Sequence, residues 1–484
     1  MHRNDLTVEH QGSKIILPLV NGVPMQIDEA ISWLTNKVRE DAKETVIQTK
    51  IPCYPLDGIV AFNEVMTEKF GWVDALPRES FFGDQPPLRI GIPVGPGKLK
   101  QCFYGRVAVP GVSGFIQVDI DFALPGIAVV AKTQRRFENI LEDICSLTRQ
   151  RLLNNSIYKG KAIRVDFGHL RGERDDGFDV LRDAPQFMTL DTAIETSLIF
   201  GDRVANDLNI GLFAPIENTD ACRSVGIPLK RGVLLYGPYG TGKTLTANIT
   251  ALKAQRNGWT FVYLSSVKDL KEGLRFAAAY APAVVFVEDI DRAIQGERSV
   301  SMDEVLNVMD GIDTKSAELI TVFTTNHVDR INPAMLRMGR LDSLIEVSPP
   351  DAGAAERLVM LYSRGLLEEG ADLKSIGKML AGKIPAFIRE VTERAKIAAI
   401  ARLQSGDIAG KVRAEDIRAA AMAMESHDAL IWNKKGKEKK FPRMLLEIPA
   451  GHPIENEALD QFETYRTSSN GNGEANDEMD FATA

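Results

Sequence analysis

The residues best suited to chemistry lie at the middle of the chain. Gly237, Pro238, Tyr239, Gly240, Thr241, Gly242, Lys243 and Thr244 have the spacing G-x-x-x-x-G-K-[ST]. The glycines let the backbone curl until its N–H groups face phosphate oxygens. The start of the helix that follows adds partial positive charge. Lys243 is placed to reach β- and γ-phosphates and the Thr244 hydroxyl to ligate Mg²⁺. Leu245, which opens the apolar helical stretch 245–256, completes the nucleotide-binding set. A chance glycine turn has the same letters, so context decides: the apolar run Gly232–Tyr236 before the loop reads as a buried strand.

A second group of polar residues follows. Ala283–Asp291 is an apolar strand ending in acids, Glu288, Asp289 and Asp291. Beside a phosphate loop, one acid of such a strand end helps hold Mg²⁺ and a neighbour orients the attacking water; otherwise the strand merely runs out into a charged loop. Thr324-Thr325-Asn326-His327 closes another apolar strand, which sets Asn326 at the ligand-binding end of an open sheet. Arg337 and Arg340 lie beyond it. Arginines there serve either as surface ion pairs or as cations supplied to a γ-phosphate, often in trans.

The elements that position these groups are legible from periodicity. Strand patterns at 260–264, 283–287, 319–325 and 343–347 alternate with helical ones at 270–280 and 302–309. That alternation predicts a parallel sheet covered on both faces. After Pro349-Pro350 only helical patterns remain, at 352–365, 372–381, 384–404 and 414–427. Ahead of the loop, residues 1–170 read as α+β. Ile27, Ile31, Leu34, Val38 and Ala42 mark one helix face, Ile116, Val118, Ile120 and Phe122 alternate as a strand, and 137–152 form an amphipathic helix. Residues 51–100 are rich in Pro and Gly and read as irregular, with a short strand at 89–94, and 157–167 returns as strand. Residues 171–186 read as a linker or exposed loop. His169, alone, reads as structural or exposed.

Composition bounds the function. With 484 residues the prior is roughly three domains of about 150 residues. The net charge of −8 gives no broad field for nucleic acid or anionic lipid. The basic run 434–440 is the only feature favouring nucleic acid and reads as solvated surface; the tail from Thr467 reads as disordered. Cys53, Cys102, Cys145 and Cys222 are scattered, with no zinc or disulfide pattern. No apolar signal core opens the chain, and no run approaches the ~20 apolar residues of a membrane span, so a cytoplasmic protein is expected.

The order phosphate loop, acidic strand end, strand-end Asn, paired Arg over residues 190–430 resembles the AAA (AAA+) family of ring ATPases. The resemblance implies ATP and Mg²⁺ as ligands, held between subunits of a hexameric or heptameric homo-oligomer that remodels or translocates a protein partner. It implies an α/β P-loop AAA+ module with a helical lid, preceded by an α+β N-terminal domain. The boundaries expected are 1–185 for that domain, a site of partner recognition, 186–350 for the large ATPase subdomain, 351–430 for the lid, and 431–484 for a basic segment and acidic tail. Carried over by position, Asn326 senses γ-phosphate, Arg337 and Arg340 reach a neighbour's nucleotide, Glu288 takes the Mg²⁺ side and Asp289 activates water. The order Glu288-Asp289 reverses the family's usual Asp-Glu, which makes a nucleotide-gated scaffold with negligible turnover the alternative. The same reversal, with Gly226–Gly237 and Thr324–Arg330, is similar to the mitochondrial branch that translocates the Rieske iron–sulfur protein, though without its transmembrane helix. Threading members carry an aromatic pore loop within 265–282; here Phe276 and Tyr280 are spaced as one helix face. In the lid, Ile384-Pro385-Ala386-Phe387 stands where the family has Ser-Gly-Ala-Asp, and Arg389 reads as helix surface rather than a second phosphate sensor.

Overall fold

The computed structural model describes residues 7–10, 13–16, 19–20, 23–24, 27–71, 73–77, 83, 85–121, 126–166, 184–293, 318–331, 335, 340–403 and 410–424. Arg337, His169, the helix expected at 302–309, most of the linker, the basic run and the acidic tail lie outside them.

Helix α1 (Ile27–Asp41) forms where the spacing predicts it, but its apolar stripe does not pack. Ile31 is 56% and Val38 51% exposed. Periodicity fixes which residues share a face, not whether a neighbour covers it. The stretch expected to be irregular holds helix α2 (Pro55–Phe70) instead. Pro55 suits its first position, where an N–H has no partner anyway. Leu56, Ile59, Val60, Phe62, Val65 and Met66 are all buried with Asp57 and Asn63, and exposure is concentrated in the last turn at Thr67–Lys69, so only a weak polar face marks its period. An antiparallel sheet surrounds it: β1 (Glu44–Pro52), β2 (Asp74–Ala75), β3 (Leu88–Gly95), β4 (Lys98–Ala108), β5 (Gly114–Asp121) and β6 (Gly126–Gln134). The order is β1-β6-β5-β4-β2, with β3 also on β4. The alternation read at 116–120 points Ile116, Val118 and Ile120 into the core shared with α2 and α3 (Glu138–Asn155).

The second sheet has seven strands. They are β7 (Ala162–Val165), β8 (Gln186–Phe187), β9 (Arg231–Tyr236), β10 (Thr260–Leu264), β11 (Ala283–Val287), β12 (Leu319–Thr325) and β13 (Ser343–Glu346). Their order is β8-β7-β10-β11-β12-β9-β13, parallel throughout except for β8 on β7. The return strand near 162, placed by its pattern with the N-terminal α+β unit, therefore belongs to this sheet. A four-residue strand carries no label for which sheet will take it.

Both faces are covered, as continuous apolar runs require. Along β11, Val284 and Phe286 face the core that contains helix α4 (Lys243–Arg256), while Ala283, Val285 and Val287 face the core that contains α5 (Leu270–Ala279). The strands expected at 260–264, 283–287 and 319–325 form over those residues. Beyond β13 come α6 (Ala352–Ser363), α7 (Leu373–Leu380), α8 (Pro385–Leu403) and α9 (Ala414–Ala423), around a core of their own. Asp351 and Asp372 cap α6 and α7 by accepting from the Ala354 and Ser375 N–H groups.

The two sheets are joined by an aromatic cluster. Phe276 and Tyr280 are 7% and 6% exposed and pack on Tyr54 and Tyr158. In this conformation they form an internal seam. At its edge the buried Asp57 accepts from Ser156 Oγ (2.7 Å), Ile157 N (3.0 Å) and Tyr280 Oη (3.1 Å). Burial raises the Asp57 carboxyl above its ordinary value, and those three bonds offset only part of the rise. Asp57→Ala strands these donors, and each buried polar group left unpaired costs about 1–3 kcal/mol. With three donors, two of them only half-buried, we expect a loss near the low end, about 3–4 kcal/mol, read as a lower urea midpoint, with Asp57→Asn losing less than half as much.

Candidate functional site

Three adjacent strands deliver the polar residues to one edge. In the order β11-β12-β9, Val287 lies level with Phe323, and Tyr236 with Thr325. The glycine loop, Glu288-Asp289 and Asn326 therefore emerge side by side at the carboxyl ends, where open α/β sheets bind ligands. Gly237 has φ 154° and its Cα closes on the backbone of Val347, where a Cβ would lie 2.3 Å from the carbonyl oxygen. Gly240, at φ 74°, lies beside the helical segment: a Cβ there would meet Ile384 Cδ1 at 3.2 Å and Ala386 Cβ at 3.6 Å. Ile384 and Ala386 thus flank the loop at Gly240, which itself stays exposed, as does Arg389.

Helix α4 begins at Lys243, two residues before the start expected from the apolar pattern. Lys243 and Thr244 consequently lie in its first turn, where backbone N–H groups have no helical acceptor. Lys243 is 7% exposed and its Nζ donates to the Gly237 and Pro238 carbonyls, 2.8 Å each. Burial brings its pKa down to about 8, against the nearby charges of Asp289, Asp291 and Glu288. Thr241 Oγ1 donates to the Pro238 carbonyl at 2.9 Å. The Thr244 residue is exposed, Leu245 half-buried, and Tyr239 packs edge-on to His327 with centroids 6.1 Å apart.

The acids are held differently. Asp289 takes φ 47°, the left-handed region that Asp tolerates better than most residues. Its N–H donates to Thr324 Oγ1 at 3.0 Å and its Oδ1 accepts from Asn326 Nδ2 at 2.9 Å. Glu288 Oε2 accepts from Tyr263 Oη at 2.8 Å; its Oε1 is buried with no hydrogen-bond partner. Asp291, 2% exposed, accepts from Thr325 Oγ1 (2.8 Å) and Asn326 N (3.3 Å), tying the ends of β11 and β12 together. Reading the sequence for motifs named Asp291 among the strand-end acids without giving it a role, and missed Tyr263. Tyr263 shares a face with Phe286 and Glu288 only through the register of β10 on β11, which alternation within one strand does not give.

Mg²⁺ is implied by the loop motif. The residues fit it: the orphaned Glu288 Oε1 is an anionic oxygen lacking a donor, and Thr244 stands at the adjoining helix start. Among the described residues no group of three or more His, Cys, Asp or Glu side chains forms a metal cage by itself. Mg²⁺ commonly relies on substrate phosphates and water in that way.

Arg340 stands apart. Its carbonyl lies against Gly232, where a Cβ would come within 1.7 Å, so its backbone sits near the start of β9. The phosphate loop leaves the other end of that strand, four residues on, or about 13 Å at ~3.3 Å per residue.

Residues 233–349 match the family described as ATPase family associated with various cellular activities (AAA). Over 211 residues the chain is 35% identical to the 26S proteasome regulatory subunit 8 homolog of Schizosaccharomyces pombe, covering 38% of this chain and 51% of that one. It is 32% identical over 210 residues to the ATP-dependent zinc metalloprotease FtsH 2 of Symbiobacterium thermophilum (39% and 36%). It is 29% identical over 204 residues to the proteasome-activating nucleotidase of Methanococcus maripaludis (38% and 50%). The match spans about half the length of the proteasomal relatives and less of FtsH 2. These relatives give no support to the narrower likeness to the Rieske-protein translocase branch. No helix among the described residues is long and apolar enough to cross a membrane.

Proposed function

We infer that this chain, which carries an AAA domain at residues 233–349, hydrolyses ATP between the subunits of a ring and uses the cycle to remodel or translocate a protein partner. The observation that carries the reading is the convergence of the loop, Glu288-Asp289 and Asn326 at one sheet edge. Lys243 has two carbonyl contacts that phosphate oxygens can replace. Thr244 and Glu288 would hold Mg²⁺, which when bound neutralises phosphate charge. Asp289 takes a proton from the water that attacks the γ-phosphorus; the bond to the bridging oxygen breaks, ADP leaves and the proton passes to solvent. Asn326 orients Asp289 through the 2.9 Å contact and is placed to register the γ-phosphate. Phosphate loop and lid approach each other at Gly240, Ile384 and Ala386, which gives nucleotide state a route to lid position.

The ring rests on Arg340. Its place near the far end of β9 supports service to a neighbouring site, and Arg337 is assigned the same role. Six or seven subunits, a cytoplasmic setting, the division at 185, 350 and 430, and recognition of the protein partner by the N-terminal α+β unit belong to this proposal. Nucleic acid is not the partner it favours. The test is ATP hydrolysis per subunit over a hundredfold range of concentration, with mass followed by light scattering. Specific activity is expected to rise and then level as rings fill. Constant activity in a chain that stays monomeric would reject catalysis in trans.

A further inference from the structure

We propose that Tyr263 is a positioning residue for Glu288, braced by Arg164, so that β10, with β7 behind it, sets the geometry of the first acid of the pair. The inference rests on the ATPase reading above and extends it to a residue outside every motif.

The placement follows from register. Arg164 on β7 is level with Tyr263 on β10, and Tyr263 is level with Phe286 on β11. In a parallel sheet level residues share a face, and Glu288 returns to that face two residues after Phe286. The Arg164 guanidinium stands 4.8 Å from the Tyr263 ring centroid. On the other side the Tyr263 and Phe286 rings are 8° from parallel with centroids 6.5 Å apart. A ring fixed on both sides aims its hydroxyl, which donates to Glu288 Oε2 at 2.8 Å. That bond occupies one carboxylate oxygen and leaves Oε1, buried and without a partner, as the oxygen available to the site.

The consequence concerns divalent cation more than nucleotide. Glutamate is a methylene longer than the aspartate that usually stands here and has one more torsion to fix. A hydrogen bond from the neighbouring strand removes that freedom. Outer partners of metal-ligating carboxylates typically contribute about 10–100-fold in metal affinity. If Tyr263 only filled space, phenylalanine would replace it without effect, because ring, stacking and cation contact are all retained.

The experiment uses the full chain and Mn²⁺ as probe, titrated by electron paramagnetic resonance in the presence of a non-hydrolysable ATP analogue. Tyr263→Phe is expected to weaken Mn²⁺ retention about 10–100-fold while leaving affinity for the analogue in EDTA within about twofold. Arg164→Ala is expected to shift Mn²⁺ the same way by a smaller factor, with Arg164→Lys restoring part of it, since Lys also makes cation–π contacts. In a Glu288→Gln background, Tyr263→Phe is expected to add nothing. Wild-type Mn²⁺ affinity in a folded Tyr263→Phe chain, or an undiminished effect in the Glu288→Gln background, overturns the proposal. Should Tyr263→Phe fail to fold, unchanged Mn²⁺ binding in Arg164→Ala overturns the brace and a loss supports it. A wild-type chain that binds no analogue in EDTA or with metal would overturn the ATPase reading itself, and this inference with it.

Discussion

Lys243→Ala is expected to weaken ATP binding at least ~100-fold at pH 7, two charge-assisted contacts at about 1.5–3 kcal/mol each being lost. The loop itself should survive, because Gly237 and its neighbours are fixed by the backbone of Val347 and by the lid rather than by the lysine. The carbonyls of Gly237 and Pro238 lose their donor but stand where water can reach a truncated side chain. The effect is therefore on affinity, with a urea midpoint close to that of the parent. The same lysine gives the wild-type protein a pH signature. Its pKa in the free site is lowered to about 8, chiefly by burial. Phosphate favours the charged form, so binding raises that pKa. Between the free and bound values the complex holds more protons than the free protein, and affinity falls as pH rises through the free value. At pH 9 binding should be about tenfold weaker than at pH 7, since one pKa unit is a factor of ten. Near one proton should be taken up per ATP. Calorimetry in two buffers of different ionisation enthalpy measures that uptake directly. Normal affinity in Lys243→Ala would remove the loop from the site; an absence of uptake at pH 8.5 would place the lysine's pKa elsewhere.

The nucleotide site was legible because its parts are punctuated. Glycines at fixed offsets, acids ending an apolar run and an Asn ending another each mark the same physical event, a strand reaching a ligand. Three kinds of feature were not legible. Helix α2 is buried along most of its length and exposes mainly its last turn, so its periodicity is weak and its stretch read as irregular. Strand β7 is too short to declare its sheet, and only pairing with β10 assigns it. Contacts between distant segments, such as Tyr280 on Asp57 or Tyr263 on Glu288, are set by register and packing that no single-strand pattern encodes. The exposed stripe of α1 is the converse case: the pattern was plain and the partner is absent among the described residues.

The opposite holdings of Glu288 and Asp289 lead to the second large effect. Asp289→Asn is expected to leave ATP affinity within a few-fold and to lower turnover by about 10²–10⁴, the range a positioned general base supplies. Asparagine tolerates the left-handed backbone at this position, and its amide oxygen can still accept from Asn326 Nδ2, so fold and sensor contact persist. What it cannot do is take a proton from water. Glu288→Gln should act otherwise. Its side-chain oxygen can still accept from Tyr263, but the unpartnered anionic oxygen is gone. Turnover should then fall mainly through a higher Mg²⁺ requirement and recover in part at high Mg²⁺. Single-turnover hydrolysis across a Mg²⁺ series separates the two variants. If Glu288→Gln stops turnover at saturating Mg²⁺ while Asp289→Asn retains it, the roles are exchanged, and the longer side chain activates water despite standing first. If neither substitution alters a wild-type rate already near zero, the reversed pair belongs to a nucleotide-gated switch, and the 2.9 Å contact between Asn326 and Asp289 reports bound nucleotide rather than readying its hydrolysis.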